Sequence, residues 1–247
     1  FLSHIFQMSK LVCSRHDHQE RSVPMPNDRK PSADERALST IEKITEQAGE
    51  IAVLLLNDLI NLLATRDAKR IEQINRKNKI LKALDNTITE DCAKYTSAFS
   101  PNAKDTRRII AILKVSDSFT KIGSLIKETG SKVLMLTELS HENKLLSNLI
   151  SLGNHSELIL QNSNKAFTKN DITIAYSIIK NINDAVDRYD DLFKNLLIAM
   201  VNEVRTITEH MYIQIVAKDF ETITSHCRTI CEQVLFISNS ETPEKKI

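Results

Sequence analysis

The chain has 247 residues, with 33 basic against 32 acidic side chains, four glycines, five prolines and no tryptophan. So even a charge argues against sequence-independent nucleic-acid binding, which rests on a net basic surface, and no nucleic-acid partner is expected. So few glycines and prolines argue against an all-β fold, whose many turns draw on both, and four cysteines in a chain this long make no disulfide framework, which points to a reducing cytoplasm.

Residues 1–36 are polar, hold Pro24, Pro26 and Pro31, and show no sustained apolar period, which predicts a flexible tail. Lys10-Leu11-Val12-Cys13 resembles a lipoprotein signal only superficially, because Lys10 lies inside it; the first residue is Phe, and Met8 is a candidate initiator. Cys13, His16 and His18 form a small cluster of metal-ligand types in this tail. The longest apolar run, Ile51 to Leu63, is broken by Asn57, Asp58 and Asn61 and falls short of the roughly 20 residues a membrane span needs, so no transmembrane helix is expected.

From Leu38 the pattern becomes regular. Helix one is predicted over 37–64, where Ile41, Ile44, Ala48, Ile51, Leu55, Leu59 and Leu62 recur at gaps of three and four and share a face. Asp67 is a candidate N-cap for helix two, 68–97, whose stripe is Ile71, Ile74, Leu81, Leu84, Ile88, Cys92 and Tyr95. Asn78 falls where an apolar residue is expected and reads as a buried, hydrogen-bonded group that fixes register. After the turn Ser100-Pro101-Asn102, helix three covers 103–135 with Ile109, Leu113, Ser116, Phe119, Gly123, Ile126 and Val133. Gly123 and Gly130, seven apart, suit close helix approach.

The layout then repeats. Helix four is predicted over 139–167, Asn170-Asp171 is again a turn and cap, helix five covers 172–202 and helix six 207–237. Helix five has the cleanest stripe, Ala175, Ile178, Ile182, Ala185, Tyr189, Leu192, Leu196 and Ala199, with the alternating gaps of near-antiparallel bundle packing. Ser118 to Ser124 matches Asp219 to Ser225, and Phe119, Ile122, Ser124, Val133 and Leu134 each have an identical partner 101 positions later. The expected fold class is therefore all-α: two tandem three-helix bundles, six long helices in all, over 37–136 and 137–238, with a polar tail at 239–247.

The two third helices also resemble a known family. The second copy reads Asp219-Phe220-Glu221-Thr222-Ile223-Thr224-Ser225-His226-Cys227-Arg228-Thr229-Ile230-Cys231-Glu232, and the first has Ile122-Gly123 as its clearest match. Both resemble the (N/D)-L-E-R-I-G-D motif of the PhoU family of phosphate-uptake regulators, the second with that family's H-A-T-N-I-A-E continuation. Asn102 to Ala111 is similar to its segment before helix three, and Leu192 to Leu197 with Met200 and Arg205 to its helix-five end. The resemblance runs from about 37 to 241 and implies two tandem three-helix bundles.

The family's metal clusters draw carboxylates from helices two and three, including two acids four apart on one helix face, a spacing that lets both grip one cation. In the first repeat the corresponding positions are Thr120 and Ser124, faced by Asn78 and Lys82, with no carboxylate among the four. In the second, Glu221 survives beside Ser225, and carry-over with a one-residue shift brings in Asn183 and Asp187. Glu221, Asp187 and His226 are the candidate metal residues, for iron, zinc or magnesium, in a repeat that has kept more of the pattern than the first.

Other candidates have plain structural readings. Cys227 and Cys231, four apart beside His226, have soft-metal spacing, but no second ligand pair accompanies them and small-side-chain packing is the simpler reading. Asp184, Asp187, Asp190 and Asp191 read as a solvated helix face. No nucleotide-binding or hydrolase motif is present, and the expectation is a protein that is not an enzyme. The resemblance implies a cytoplasmic regulator, at the inner membrane through its transporter, that binds phosphate ABC transporter components and a sensor histidine kinase and represses the phosphate-starvation response. A second copy of the chain is a further candidate partner. The alternative is a metal-binding helical bundle, either a store or a carboxylate-bridged metalloprotein, which would want Glu-x-x-His pairs that this sequence lacks.

Overall fold

The computed structural model describes residues 32–139 and 144–238. The two predicted tails, apart from 32–36, and the cluster of Cys13, His16 and His18 lie outside the described residues. Six helices follow one another: α1 (Ala33–Thr65), α2 (Arg70–Phe99), α3 (Ala103–Leu139), α4 (Lys144–Lys169), α5 (Ile172–Asn202) and α6 (Ile207–Ser238), with a single 3-10 turn at Val204–Thr206.

Three boundaries differ from the sequence reading by more than two residues. α1 begins at Ala33, inside the expected tail, because Ser32 and Glu35 have capping-box spacing and Asp34 and Glu35 place negative charge in the first turn. α3 runs on to Leu139, since Thr137-Glu138-Leu139 contains no breaker, and α4 starts at Lys144 rather than 139. Asp67 is not the N-cap of α2. Its carboxylate accepts from the Lys69 N–H at 3.2 Å and its carbonyl from the Arg70 N–H at 3.0 Å, closing a turn ahead of the helix. Asp171 does cap α5, accepting from the N–H groups of Thr173 and Ile174 at 2.9 and 3.0 Å. Each Asp follows a left-handed residue, Arg66 or Asn170, that ends the preceding helix.

α2 packs only on α1 and α3, and α5 only on α4, α6 and the 3-10 turn, among the described residues. These are the flanking helices, and each needs one narrow apolar stripe: α5 buries six residues of 31, from Ala175 to Leu196. Between them, α3 pairs with α6 and α1 with α4 across the repeats. α1 therefore faces three neighbours and buries thirteen residues, among them Leu55, Leu56, Leu59 and Leu62. That explains a departure from expectation: by length and hydropathy α1 is the single described helix that could cross a membrane, yet its apolar side chains fill the bundle core. Its one buried acid, Asp58, is paired with Lys77 and Arg70 from α2.

The crossing of α1 over α4 is close because glycine sits at its two contact points. A Cβ on Gly49 would lie 2.1 Å from Asn164 Oδ1 and 2.8 Å from Phe119 Cζ. One on Gly153 would lie 2.9 Å from Phe220 Cζ and 3.1 Å from Ile60 Cγ1. Gly49 and Gly153 are equivalent, as are Phe119 and Phe220, and Ile60 and Asn164. Each repeat thus presents the same glycine to its own phenylalanine and to the same position of the other repeat. The contacts run in opposite chain directions, so the repeats are related by an approximate two-fold axis through this crossing.

Candidate functional site

The repeated motif lies on α3 and α6, which run antiparallel along the seam between the repeats. Phe119 and Phe220 are fully buried beneath it. Midway along the seam Asp219 Oδ2 accepts hydrogen bonds from Thr129 Oγ1 and Lys132 Nζ, both at 2.8 Å. About two turns further along α6, His226 comes within electrostatic reach of Asp117 and Lys121 of α3. Burial depresses the His226 pKa below its ordinary value, and the Lys121 charge adds to this against the opposing pull of Asp117, so the ring is neutral at neutral pH.

The second-repeat candidates do not come together. Glu221 Oε2 accepts from Lys218 Nζ on its own helix at 2.6 Å, and that ammonium also lies 5.2 Å from the centre of the Tyr189 ring. The Tyr189 hydroxyl in turn accepts from Gln214 Nε2 at 3.2 Å. The Glu221 hydrogen bond holds the Lys218 pKa above its usual value. Asp187 is exposed on α5. The burial pattern pairs Ile74 with Ile178, Leu81 with Ala185, Ile88 with Leu192 and Cys92 with Leu196, a constant offset. In that register Asn78 and Lys82 correspond to Ile182 and Val186, both apolar, and Asp187 sits one step further round the helix. Among the described residues no three His, Cys, Asp or Glu side chains gather. Glu221, Asp187 and His226, as placed, are not a donor set that fits a metal ion.

In the first repeat Asn78 is buried as expected, but its Oδ1 has no hydrogen-bond partner among the described residues, and neither has the half-buried Thr120 Oγ1. Asn78 is accommodated by Gly123 instead, on which a Cβ would lie 3.0 Å from Asn78 Oδ1 and 2.5 Å from Leu81 Cδ2. Lys82 and Ser225 are exposed and Ser124 is half-buried.

Cys227 and Cys231 are fully buried. The Cys231 thiol lies 3.5 Å from Ser163 Oγ, and burial pushes its pKa up to about 11. Burial likewise drives the Cys227 pKa far upward, so both are protonated packing groups, not thiolate ligands. On α5, Asp184 accepts from Arg188 Nε at 2.9 Å and lies 3.4 Å from His155 Nε2, and Asp191 pairs with Lys194, leaving a solvated charged face.

Two features escaped the sequence reading. One is the cleft of about 260 Å³ between the start of α1 and the ends of α4 and α6, lined by Glu42, Glu46, Arg108, Phe167, Asn170 and Ile237, with Arg108 paired to Glu42 across it. Its residues come from four separate segments, so no local pattern reveals it. The other is the apolar face at the α5–α6 turn, where Leu197, Ile198, Val201 and Val204 are exposed. It was legible as apolar residues off the helix-five stripe.

The PhoU domain family matches residues 45–133 and 149–234, one match in each repeat. A Xylella fastidiosa protein named phosphate-specific transport system accessory protein PhoU homolog is 29% identical over 193 residues, covering 78% of this chain and 81% of its own length. The Escherichia coli accessory protein PhoU is 25% identical over 181 residues, covering 73% of this chain and 75% of its own. The crystal structure of PhoU from Pseudomonas aeruginosa superposes with a TM-score of 0.80 at 21% identity, covering 83% of this chain and 99% of that one. With the six-helix repeat, the two-fold crossing and a family match in each half, the chain belongs to the PhoU domain family.

Proposed function

We propose that this protein is a regulator of phosphate uptake that works by binding, not by catalysis. Its partners are components of the phosphate ABC transporter and a sensor histidine kinase, and its effect is to repress the phosphate-starvation response when phosphate is plentiful. The observation that carries the reading is that similarity to phosphate-specific transport accessory proteins extends over 78% of the chain and through both repeats. A bundle with long charged outer helices suits such a role, because it offers rigid faces whose affinity for a partner follows the partner's state.

The test is a deletion in the native host with a phosphate-starvation reporter, paired with affinity capture from native membranes. Loss of the protein is expected to raise reporter expression in phosphate-rich medium, and capture to recover transporter and kinase components. Unchanged expression, with neither partner recovered, would sink the proposal.

A further inference from the structure

The turn before α2 and the first half of that helix are basic. Between Arg66 and Lys82 stand seven basic residues against two acidic ones, Asp67 and Glu72, in a chain whose total charge is almost balanced. The second repeat supplies an internal control. Its equivalent stretch, 170–186, has Lys180 alone against Asp171 and Asp184. Arg66, Lys69, Arg70, Lys77, Lys79 and Lys82 correspond there to Asn170, Thr173, Ile174, Asn181, Asn183 and Val186, and both stretches form the same turn and flanking helix. The cations of the first repeat are therefore not required by the fold, except for Arg70 and Lys77, which pair with the buried Asp58.

The other five, Arg66, Lys69, Arg76, Lys79 and Lys82, are exposed, and none has a carboxylate within ion-pair distance among the described residues. α2 packs only on α1 and α3 among the described residues, so its outer side is open. Lys127 of α3 adds a sixth cation. It shares a helix face with Gly123 and Gly130, which lie against Leu81 and Ile71 of α2, and it too is exposed and unpaired among the described residues. Ile80, 45% exposed, stands one turn beyond Arg76 among these charges. From Arg70 to Lys82 the helix rises about 18 Å. Like charges held so close repel one another, and an anionic surface laid over them relieves that repulsion.

We propose that this face of α2 binds anionic phospholipid head groups directly, laying the protein on a membrane surface without help from a protein partner. Cations spread along the open side of one helix match a planar array of negative charges better than they match a single anionic group. Four of the six are lysines, whose long stems carry the charge outward, and Ile80 between them offers an apolar side chain to the boundary beneath the head groups. Residues 66–82 contain no aromatic side chain on which a base could stack, which disfavours a single-stranded nucleic acid. This inference is independent of the regulatory reading. A lipid-bound chain need not touch a transporter, and a transporter-bound chain need not touch lipid.

Flotation of the full chain with vesicles of phosphatidylcholine, or of phosphatidylcholine with about one third phosphatidylglycerol, reads the binding directly at about 0.1 M salt. The wild-type protein is expected to float with the anionic vesicles and not with the neutral ones, and to be released at about 0.5 M salt. Arg76→Gln combined with Lys79→Gln and Lys82→Gln should weaken binding roughly a hundredfold, about fivefold for each cation removed. The conservative set Arg76→Lys, Lys79→Arg and Lys82→Arg should bind as the wild type does. So should Lys165→Gln with Lys180→Gln and Lys194→Gln, which removes the same charge from exposed positions of the second repeat. Far-UV circular dichroism checks that each variant is folded. A wild-type chain that ignores anionic vesicles overturns the proposal. So does binding indifferent to the α2 variant, which would put the lipid contact elsewhere in the chain, or an equal loss in the second-repeat variant, which would make it an effect of net charge. A wild-type chain that ignores the vesicles but binds a DNA duplex of about 20 base pairs would assign the face to nucleic acid instead.

Discussion

At the scale of single residues, polar groups set the fit of the two repeats. Asp219 gathers a hydroxyl and an ammonium from α3 onto one carboxylate oxygen, so a single side chain of the second repeat satisfies two of the first. Asn78 and Asn164 show the opposite case, each with a buried amide oxygen lacking a partner among the described residues. His226 gives the seam a pH dependence. Its folded pKa lies below the ordinary value of 6.5, so the unfolded chain takes up the proton first. Stability is then unaffected by this group above about pH 6.5 and falls as the pH drops below it, levelling off once the folded ring is itself protonated. Urea unfolding of wild type and His226→Gln at several pH values should show a shallower acid loss in the variant. Identical slopes would place the acid sensitivity elsewhere. The sequence pattern flagged Asn78, Glu221 and His226 as positions of interest, but Asn78 Oδ1 is left without a hydrogen-bond partner among the described residues and the charged groups facing His226 lie on another helix. Lys218 stands three residues before Glu221, a spacing at which helical side chains meet, whereas nothing in the spacing of α6 indicates that His226 looks toward Asp117 and Lys121.

At the scale of elements, the helices were legible and their crossings were not. Apolar residues at gaps of three and four mark a buried face whatever covers it, which is why all six helices and nearly every stripe residue are found where the periodicity puts them. A stripe does not name its neighbour. Gly49 and Gly153 show why: each is an isolated glycine within a helix, and only the structure reveals that they are equivalent points of one crossing. Gly153→Ala would push a methyl group to 2.9 Å from the Phe220 ring and 3.1 Å from Ile60, two rigid, buried neighbours. The expected cost is about 1–3 kcal/mol, read as a lower urea midpoint at unchanged slope. A neutral result would mean that α1 and α4 can separate by a few tenths of an ångström without loss. The two flanking helices bury less, and substitutions on their outer faces, such as Asp187→Ala, fall where ordinary surface tolerance applies.

At the scale of the whole molecule, the approximate two-fold axis governs what the chain can be. α3 against α6 and α1 against α4 close the core across the repeats, so neither set of three helices owns a complete interior. The duplicated motif made the two-part architecture readable. It gave no hint that the parts would share one core, because apolar positions facing the other repeat look the same as those facing their own. The same axis has a topological consequence. The end of α3 and the start of α4 are bridged by four residues, 140–143. Symmetry sets the end of α6 near the start of α1 in the corresponding way, and the cleft lined by both Ser39 and Ile237 shows these ends sharing one hollow. The order of the two halves along the gene is then immaterial to the fold. A circular permutant that begins at Lys144, joins Ser238 to Ala33 through a flexible linker of about five residues, and ends at Leu139 should fold with wild-type helicity, since closing so short a loop costs little. Helicity and a cooperative melt comparable to the parent would confirm it, and an unfolded permutant would show that chain order, not symmetry, holds the halves together.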